Sequence, residues 1–480
     1  MDQIKKYRSL ILLFIGIILY VLSYPPFNLS FLIFFSLVPL FLLIPEINTK
    51  EAFIFGFLYG FGFNGINFYW IPSLISHFTP LIVGILVNLL LISYLSLYYG
   101  IFLWAVKKKE DSILFPAFLM VLIQWIRAHG PLAFNWGSFG EPLVHIPSLL
   151  QWASIFGELG LTFLVVIVNV LIARHRSLNN TKKVLGIISL LLIFLIGNFM
   201  IEKEEDIYWR VGAVQGNYDS FSKVFDLNIA EQLEVHRDLT LKLPKNLDLI
   251  VWAESVIFYP LNQAPNYIKE IRVLTEEMNS PILLGALETR GTNTYNSAYL
   301  FKKNGEYEIH RKSQLVPFVE EIPFPFNYIV PDYFKRLIGN YGKDSKYYSL
   351  SLEDRKIGVL ICFESLFSDL GRALSQDKSD LLVVITNDGW FQGTPAVYQH
   401  KNQSLIRAVE NRLPLVQVAN TGITFFADPY GRIINESKEG EKDVYVGFLP
   451  KKGSSIYSVV GDLPIFLAFI IFLLFKIRRP

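Results

Sequence analysis

Cys362 is the only cysteine in the chain, and its surroundings suit a nucleophile. The run Lys356-Ile-Gly-Val-Leu-Ile361 reads as a buried strand that ends on the thiol, and residues 365–375 read as a helix. Such a strand-to-helix turn lifts one side chain to the edge of a sheet, beside the backbone N–H groups of the helix start. A lone cysteine is often just a small buried hydrophobe, so its partners decide. Glu254 follows the strand-like run Asp248-Leu-Ile-Val-Trp252, and Lys312 follows Tyr307-Glu-Ile-His-Arg311. Singly, a charge at a strand end is usually just solvated. Together the three residues supply covalent acyl transfer. The thiol attacks, a carboxylate takes and returns its proton, and an ammonium stabilises the thiolate and the oxyanion. His310 shares a strand with Lys312 at a spacing of two, so it reads as structural rather than as a partner for the thiol.

These residues must be positioned by something other than a simple soluble domain. The chain is 52% hydrophobic, 15% aromatic and 18% charged, with mean hydropathy +0.37, the balance of a partly membrane-embedded protein. One cysteine excludes an internal disulfide. The seven histidines are scattered, and no metal-ligand spacing appears, so no metal or other cofactor is expected. The net charge of +2 points to no particular partner, and no nucleic acid is expected.

Residues 1–201 hold seven apolar stretches, at 10–24, 29–44, 52–68, 80–106, 113–126, 159–172 and 184–201, and 459–475 forms an eighth. Several fall short of the roughly 20 residues that cross a bilayer comfortably. Prolines 25 and 26 follow the first stretch directly, with no small-residue cleavage site, which argues against a signal peptide. The basic clusters at 5–8, 50, 107–109, 174–183 and 476–479 all fall on one side of eight spans, which makes that side cytoplasmic. The expected organisation is a multi-pass helical membrane domain (1–201), an extracytoplasmic α/β domain (202–458), and a final span with a basic cytoplasmic tail (459–480). In the α/β domain, strand-like runs alternate with helical patterns, and residues 296–302 and 306–311 read as an antiparallel pair across Asn304-Gly305.

Glu254, Lys312 and Cys362, in that chain order, resemble the triad of the carbon–nitrogen hydrolase (nitrilase) superfamily. Further matching windows are Ala213-Val-Gln-Gly-Asn217, Trp252-Ala-Glu-Ser255, Tyr295-Asn-Ser297, Lys312 to Glu320, Cys362-Phe-Glu364, Thr386-Asn-Asp-Gly-Trp-Phe391, Gln399-His400 and Asn420-Thr-Gly422. A nitrilase-like domain between two membrane segments resembles one family of that superfamily, the apolipoprotein N-acyltransferases. Phe134-Asn-Trp136 and Phe156-Gly-Glu158 agree with its N-terminal half. Departures such as Ala253, Val319, Phe363 and Gln392 leave the triad intact.

The resemblance implies an αββα sandwich and a two-step reaction without a cofactor. An acyl chain passes from a membrane phospholipid to Cys362 as a thioester, then to the α-amine of a diacylated apolipoprotein. It implies Glu254 as general base and acid, Lys312 as oxyanion stabiliser, Glu320 and Glu364 as supporting carboxylates, and Trp252, Phe363, Trp390 and Phe391 as pocket residues. It also implies a place in the bacterial inner membrane with the catalytic domain outside; the oligomeric state is open, with a monomer the expectation. Aromatic, proline-rich residues 324–330 and their continuation to Tyr348 read as a lipid-facing arm. Two rivals remain on the residues alone. One is a membrane-tethered amidase that releases its acyl group to water. The other is a non-catalytic membrane protein with a degenerate domain.

Overall fold

The computed structural model describes residues 2–202, 206–220, 229–328, 330–335 and 338–477. Residues 203–205, 228, 329, 478 and 479 of the sequence reading lie outside them, as do the side chains of Lys5, Lys6 and Lys476.

The N-terminal half is helical. Among the described residues, three helices are long and apolar enough to cross a membrane: Leu81–Lys108, Ala153–Ala173 and Asn180–Phe199. Asp2–Ser23, Thr49–Asn67, Phe115–Arg127 and Leu463–Ile477 cover four more of the apolar stretches. Asn48 starts the second of these with a capping box: its side chain accepts from the Lys50 and Glu51 backbones, and Glu51 reaches back to the Asn48 N–H. That helix lies close against Leu81–Lys108 because Gly56 has no side chain; a Cβ there would sit 2.2 Å from the Tyr99 carbonyl oxygen.

The stretch at 29–44 departs from a single span. It folds as a 3₁₀ turn, Ser30–Phe35, and a short helix, Val38–Leu43, with Pro39 at its start. The broken backbone is satisfied by Asn169 of the buried helix Ala153–Ala173. Its Oδ1 accepts from Leu37 N at 2.8 Å, and its Nδ2 donates to the Ile33 carbonyl at 2.9 Å. Irregular backbone in an apolar setting needs such a partner.

Among the described residues, thirteen strands form two sheets. The first contains β1 (Ile207–Gln215), β2 (Leu249–Trp252), β3 (Ile257–Pro260), β4 (Ile282–Arg290), β5 (Asn293–Phe301) and β6 (Tyr307–Arg311). The second contains β7 (Leu350–Leu352), β8 (Arg355–Ile361), β9 (Leu381–Thr386), β10 (Leu415–Ala419), β11 (Phe425–Ala427) and β12 (Ile433–Glu436). The last strand, β13 (Asp443–Pro450), returns to the first sheet beside β1, giving the orders β13-β1-β2-β4-β5-β6 and β12-β11-β10-β9-β8-β7. Strands β1, β2 and β4 are parallel, as are β8, β9 and β10. Helices join the parallel strands: Ile229–Thr240 and Pro265–Met278 in the first sheet, Ser368–Gln376 and Pro395–Asn411 in the second. The 365–375 helix of the sequence reading is split into a 3₁₀ turn, Cys362–Leu366, and the helix Ser368–Gln376.

The two sheets share one core, and both faces of the second sheet are covered. Ile357, Val359 and Ile361 of β8 pack towards the first sheet. Leu360, Leu382 and Val384 pack the other way, in the cluster that also contains the N-terminal helices. Alternate residues of a strand point to opposite faces, and here both faces are buried, which is why these strands read as unbroken apolar runs. The helix Pro395–Asn411 is buried along nearly its whole length, between the second sheet and the N-terminal half.

Candidate active site

Strand direction brings the chemistry to one edge. Glu254 follows β2, Lys312 follows β6, Cys362 follows β8 and Asp388 follows β9. Because β5 is antiparallel to both β4 and β6, β6 ends on the same side as β2 and β4. The Asn296 carbonyl, early in β5, accepts from the Lys312 backbone N–H at 2.9 Å and fixes where the lysine leaves the sheet.

Lys312 is almost fully buried, and its Nζ lies 2.9 Å from Glu320 Oε1 and 3.6 Å from Glu254 Oε1. Asn296 closes the group, donating from Nδ2 to Glu254 Oε1 at 2.8 Å and to Glu320 Oε1 at 3.3 Å. An ammonium and an amide thus face two carboxylates. Burial opposes the lysine's charge, but Glu320, Glu254 and the nearby thiol outweigh it, and its pKa is raised. The Cys362 thiol is pushed well up, by burial first and by Glu254 second, with Lys312 acting the other way. The resting thiol is therefore neutral at ordinary pH and needs a base as it attacks.

Left-handed backbone occurs at Cys362 and beside Glu254. Cys362 has φ +53°, and Ser255, next to Glu254, has φ +49°. Non-glycine residues rarely occupy the left-handed region, and those that do gather at functional sites.

Glu364 serves as a brace. One oxygen accepts from the Ser313 and Gln314 N–H groups at 2.7 and 3.1 Å, and the other from Ile361 at 2.8 Å. It ties the segment after Lys312 to the strand before Cys362. Burial raises its pKa to about 7, against those N–H groups and Lys312. Glu320 is held likewise, by Val316 N at 2.8 Å. His310 is buried beside the Tyr348 carbonyl, and burial lowers its pKa to about 4, so it stays neutral.

The four aromatic residues expected in the pocket pack against neighbouring rings. Trp252 is fully buried, donates its indole N–H to Thr240 at 3.0 Å and packs against His236. Phe363 packs on Phe367 and Phe134, Trp390 on Phe78, and Phe391 on Trp70 and Trp136. Phe78, Phe134, Trp70 and Trp136 belong to the N-terminal half, so three of the four form a seam between the halves.

A family model described as the apolipoprotein N-acyltransferase N-terminal domain matches residues 17–171, and a carbon–nitrogen hydrolase model matches residues 210–452. The apolipoprotein N-acyltransferase of Geobacter metallireducens is 32% identical to this chain, in an alignment covering 96% of this chain and 93% of that protein. The chain belongs to the apolipoprotein N-acyltransferase family. The Thermotoga maritima protein of that name is 28% identical, covering 97% of this chain and 93% of its own. Apolipoprotein N-acyltransferase 1 of Treponema denticola is 27% identical, covering 95% and 93%.

The seam joins the two regions matched by the apolipoprotein N-acyltransferase N-terminal model and the carbon–nitrogen hydrolase model, and it is polar as well as aromatic. The Trp136 indole donates to Gln399 Oε1 at 2.7 Å, and Asn135 donates to the Leu366 carbonyl at 2.9 Å. Arg407 pairs with Glu158 at 2.6 Å and Glu410 at 3.2 Å. Gly157, at φ +66°, breaks the helix Ala153–Ala173, and the Glu158 N–H donates to Glu410 Oε1 at 2.7 Å. A Cβ on Gly157 would sit 2.5 Å from the Tyr457 ring. Sequence reading gives Asn296, His400 and Arg407 no role. The first two sit in windows that carry the resemblance. The third is visible only as a charge in a helix that turns out to be buried along nearly its whole length.

Proposed function

We propose that this acyltransferase moves an acyl chain from a membrane phospholipid, through a Cys362 thioester, to the α-amine of the diacylglyceryl-cysteine that begins an apolipoprotein. The observation that carries the reading is the buried Lys312 ammonium, held between Glu254 and Glu320 and within electrostatic reach of the chain's single thiol. As the sulfur attacks the ester carbonyl, Glu254 takes the thiol proton and a C–S bond forms. Lys312 faces the developing oxyanion, and Glu320 and Asn296 keep the lysine and the base in place. Collapse breaks the ester C–O bond, and the departing lysophospholipid oxygen receives the proton from Glu254. The amine of the acceptor then attacks the thioester and gives a proton to Glu254. The C–S bond breaks, the thiolate takes that proton back, and an amide leaves.

The setting supports a lipid donor. The helices Leu81–Lys108 and Asn180–Phe199 expose large apolar side chains, among them Leu90, Ile187 and Phe199. A bilayer location, with the catalytic half on the outer face of the cytoplasmic membrane, spares a long acyl chain from water at about 0.8 kcal/mol per CH2.

The half-reactions should separate. With phospholipid alone, intact mass should show one acyl group on the enzyme, with roughly one lysophospholipid released per chain. A diacylglyceryl-cysteine peptide should then discharge it to an amide. Steady release of free fatty acid without the peptide would instead establish a hydrolase.

The arm after Glu320 is the proposed lipid contact. Phe324 and Tyr328 are 68% and 76% exposed, whereas Phe326 is partly covered by Phe318 at 5.4 Å. Changing Phe324 and Tyr328 to Ser should reduce acylation from bilayer phospholipid severalfold. Acylation from a short-chain soluble ester and the thermal melt should hardly change, because neither ring is buried. Equal loss on both donors would show that the arm shapes the site instead.

A further inference from the structure

A second buried charge pair lies beneath the nucleophile, and nothing in the reaction above uses it. His400, fully buried on the helix Pro395–Asn411, places Nδ1 2.8 Å from Asp388 Oδ1. Its Nε2 lies 3.1 Å from the Cys362 carbonyl oxygen and 2.8 Å from Ser365 Oγ. The Asp388 carboxylate can only accept, so Nδ1 carries a hydrogen; a second hydrogen on Nε2 lets the ring donate to the Cys362 carbonyl, whereas a ring neutral there would accept the Ser365 O–H and turn its lone pair towards that carbonyl. The Ser365 hydroxyl can accept as readily as it donates. Trp136 of the N-terminal half lies 5.9 Å from the ring, tilted by 32°, and Phe391 lies 6.3 Å away. An aromatic face at that distance favours a cation. The groups facing the imidazole are thus Asp388, Ser365, the Cys362 peptide and two aromatic rings, with Glu254 a further negative charge acting on it.

We propose that His400 is a positioning residue of the acyl-transfer site: held as an imidazolium by Asp388, it donates to the Cys362 carbonyl, fixes the nucleophile turn in its left-handed conformation and neutralises a carboxylate that would otherwise oppose the thiolate. This rests on Cys362 being the nucleophile, and it gives the membrane half, through Trp136, a hand in holding that nucleophile. Asp388 acts on the thiol and, unpaired, would hold back its ionisation. Thr386 on β9 donates to the same carboxylate at 2.7 Å, so the pair is also anchored to the sheet.

The chain's single thiol makes the test direct. The full-length protein in detergent micelles is alkylated with iodoacetamide between pH 6 and 10, the thiolate displacing iodide, and the adduct is followed by intact mass. His400→Gln strands the Asp388 carboxylate, so alkylation at pH 8, which follows the thiolate fraction, should fall about tenfold, the change that one further pKa unit makes. Asp388→Asn combined with His400→Gln removes the stranded charge and should recover most of that loss. Alkylation by His400→Gln along the parent profile, whatever its melt, overturns the proposal, and so does a double variant no faster than the single one. Acyl transfer is not the readout, so failure here is distinct from failure of the proposed reaction, which Cys362→Ala decides.

If the variants do not fold, 15N-histidine spectra of an otherwise unaltered chain carry the same question. His129 also meets a carboxylate, Asp369 at 2.9 Å, so the spectra are taken with His129→Gln. One ring with both nitrogens protonated at pH 8 is the expected result. Neutral rings throughout overturn the proposal.

Discussion

Cys362→Ala should leave no acyl-enzyme at all, and Glu254→Gln should slow its formation by about 100- to 10,000-fold. The two losses differ in kind. Without sulfur there is no covalent intermediate, whatever else is intact. With Gln at 254 the sulfur remains, but burial still holds its proton on at neutral pH, and an amide cannot take it. Gln can still meet Asn296 and Lys312 through its carbonyl oxygen, so the group around the lysine should survive and the melt should stay near the parent's. Because Glu254 also raises the thiol's pKa, Glu254→Gln should alkylate with iodoacetamide at somewhat lower pH than the parent while acylating far more slowly. That opposite movement separates a lost base from a damaged fold. Intact mass after incubation with phospholipid reads acylation. A Cys362→Ala protein that still N-acylates a diacylglyceryl peptide at a comparable rate would sink the mechanism.

The largest structural effect should come from Arg407→Met, which keeps the apolar stem and removes the charge. Arg407 is fully buried between Glu158 of the N-terminal half and Glu410 of its own helix. Breaking a buried pair from one side typically costs about 3–5 kcal/mol, because the remaining charge is left without a partner. Glu410 gives the loss a pH dependence. Burial raises its pKa to about 8 in the fold, with Arg407 opposing. A carboxyl raised in this way binds its proton more tightly folded than unfolded. Its favourable contribution is complete below the unfolded value of 4.5 and is lost as pH rises through about 8. Removing Arg407 pushes that pKa higher still, so the variant's deficit should be greatest near pH 9 and smallest near pH 5. Thermal melts in detergent at the two pH values check this. A melt within about 2 °C of the parent at pH 9 would mean that the ion pair contributes little.

Much of the catalytic domain was legible because its signals are local. Strands β2, β8, β9 and β10 are short apolar runs, and a run buried on both faces needs no partner to be recognised. The pair β5–β6 was marked by Asn304-Gly305, and the candidate triad by three ionisable residues that each follow a strand-like run. Glu320 and Glu364 could be named from their windows, but their work could not. What they do depends on backbone N–H groups at 313, 314, 316 and 361, which only the folded chain brings within reach.

The apolar stretches were legible as composition and less so as elements. The 29–44 stretch has the hydropathy of a span, yet Pro39 breaks it, and the break is tolerated because Asn169, far along the chain, satisfies the freed backbone. The ring contacts of the aromatic residues were illegible for a related reason. Phe363, Trp390 and Phe391 sit next to catalytic windows in sequence, but ring contacts are set by what packs opposite, and that is the N-terminal half. Hydropathy and strand-end chemistry are properties of neighbours along the chain, so the sequence by itself determined the apolar helical half, the α/β half and the three residues proposed to react. Pairings such as Arg407 with Glu158, His400 with the Cys362 carbonyl, and Asn296 with both carboxylates join positions up to hundreds of residues apart. Only tertiary structure could decide them, because a buried charge or amide is tolerable solely where the fold supplies its partner.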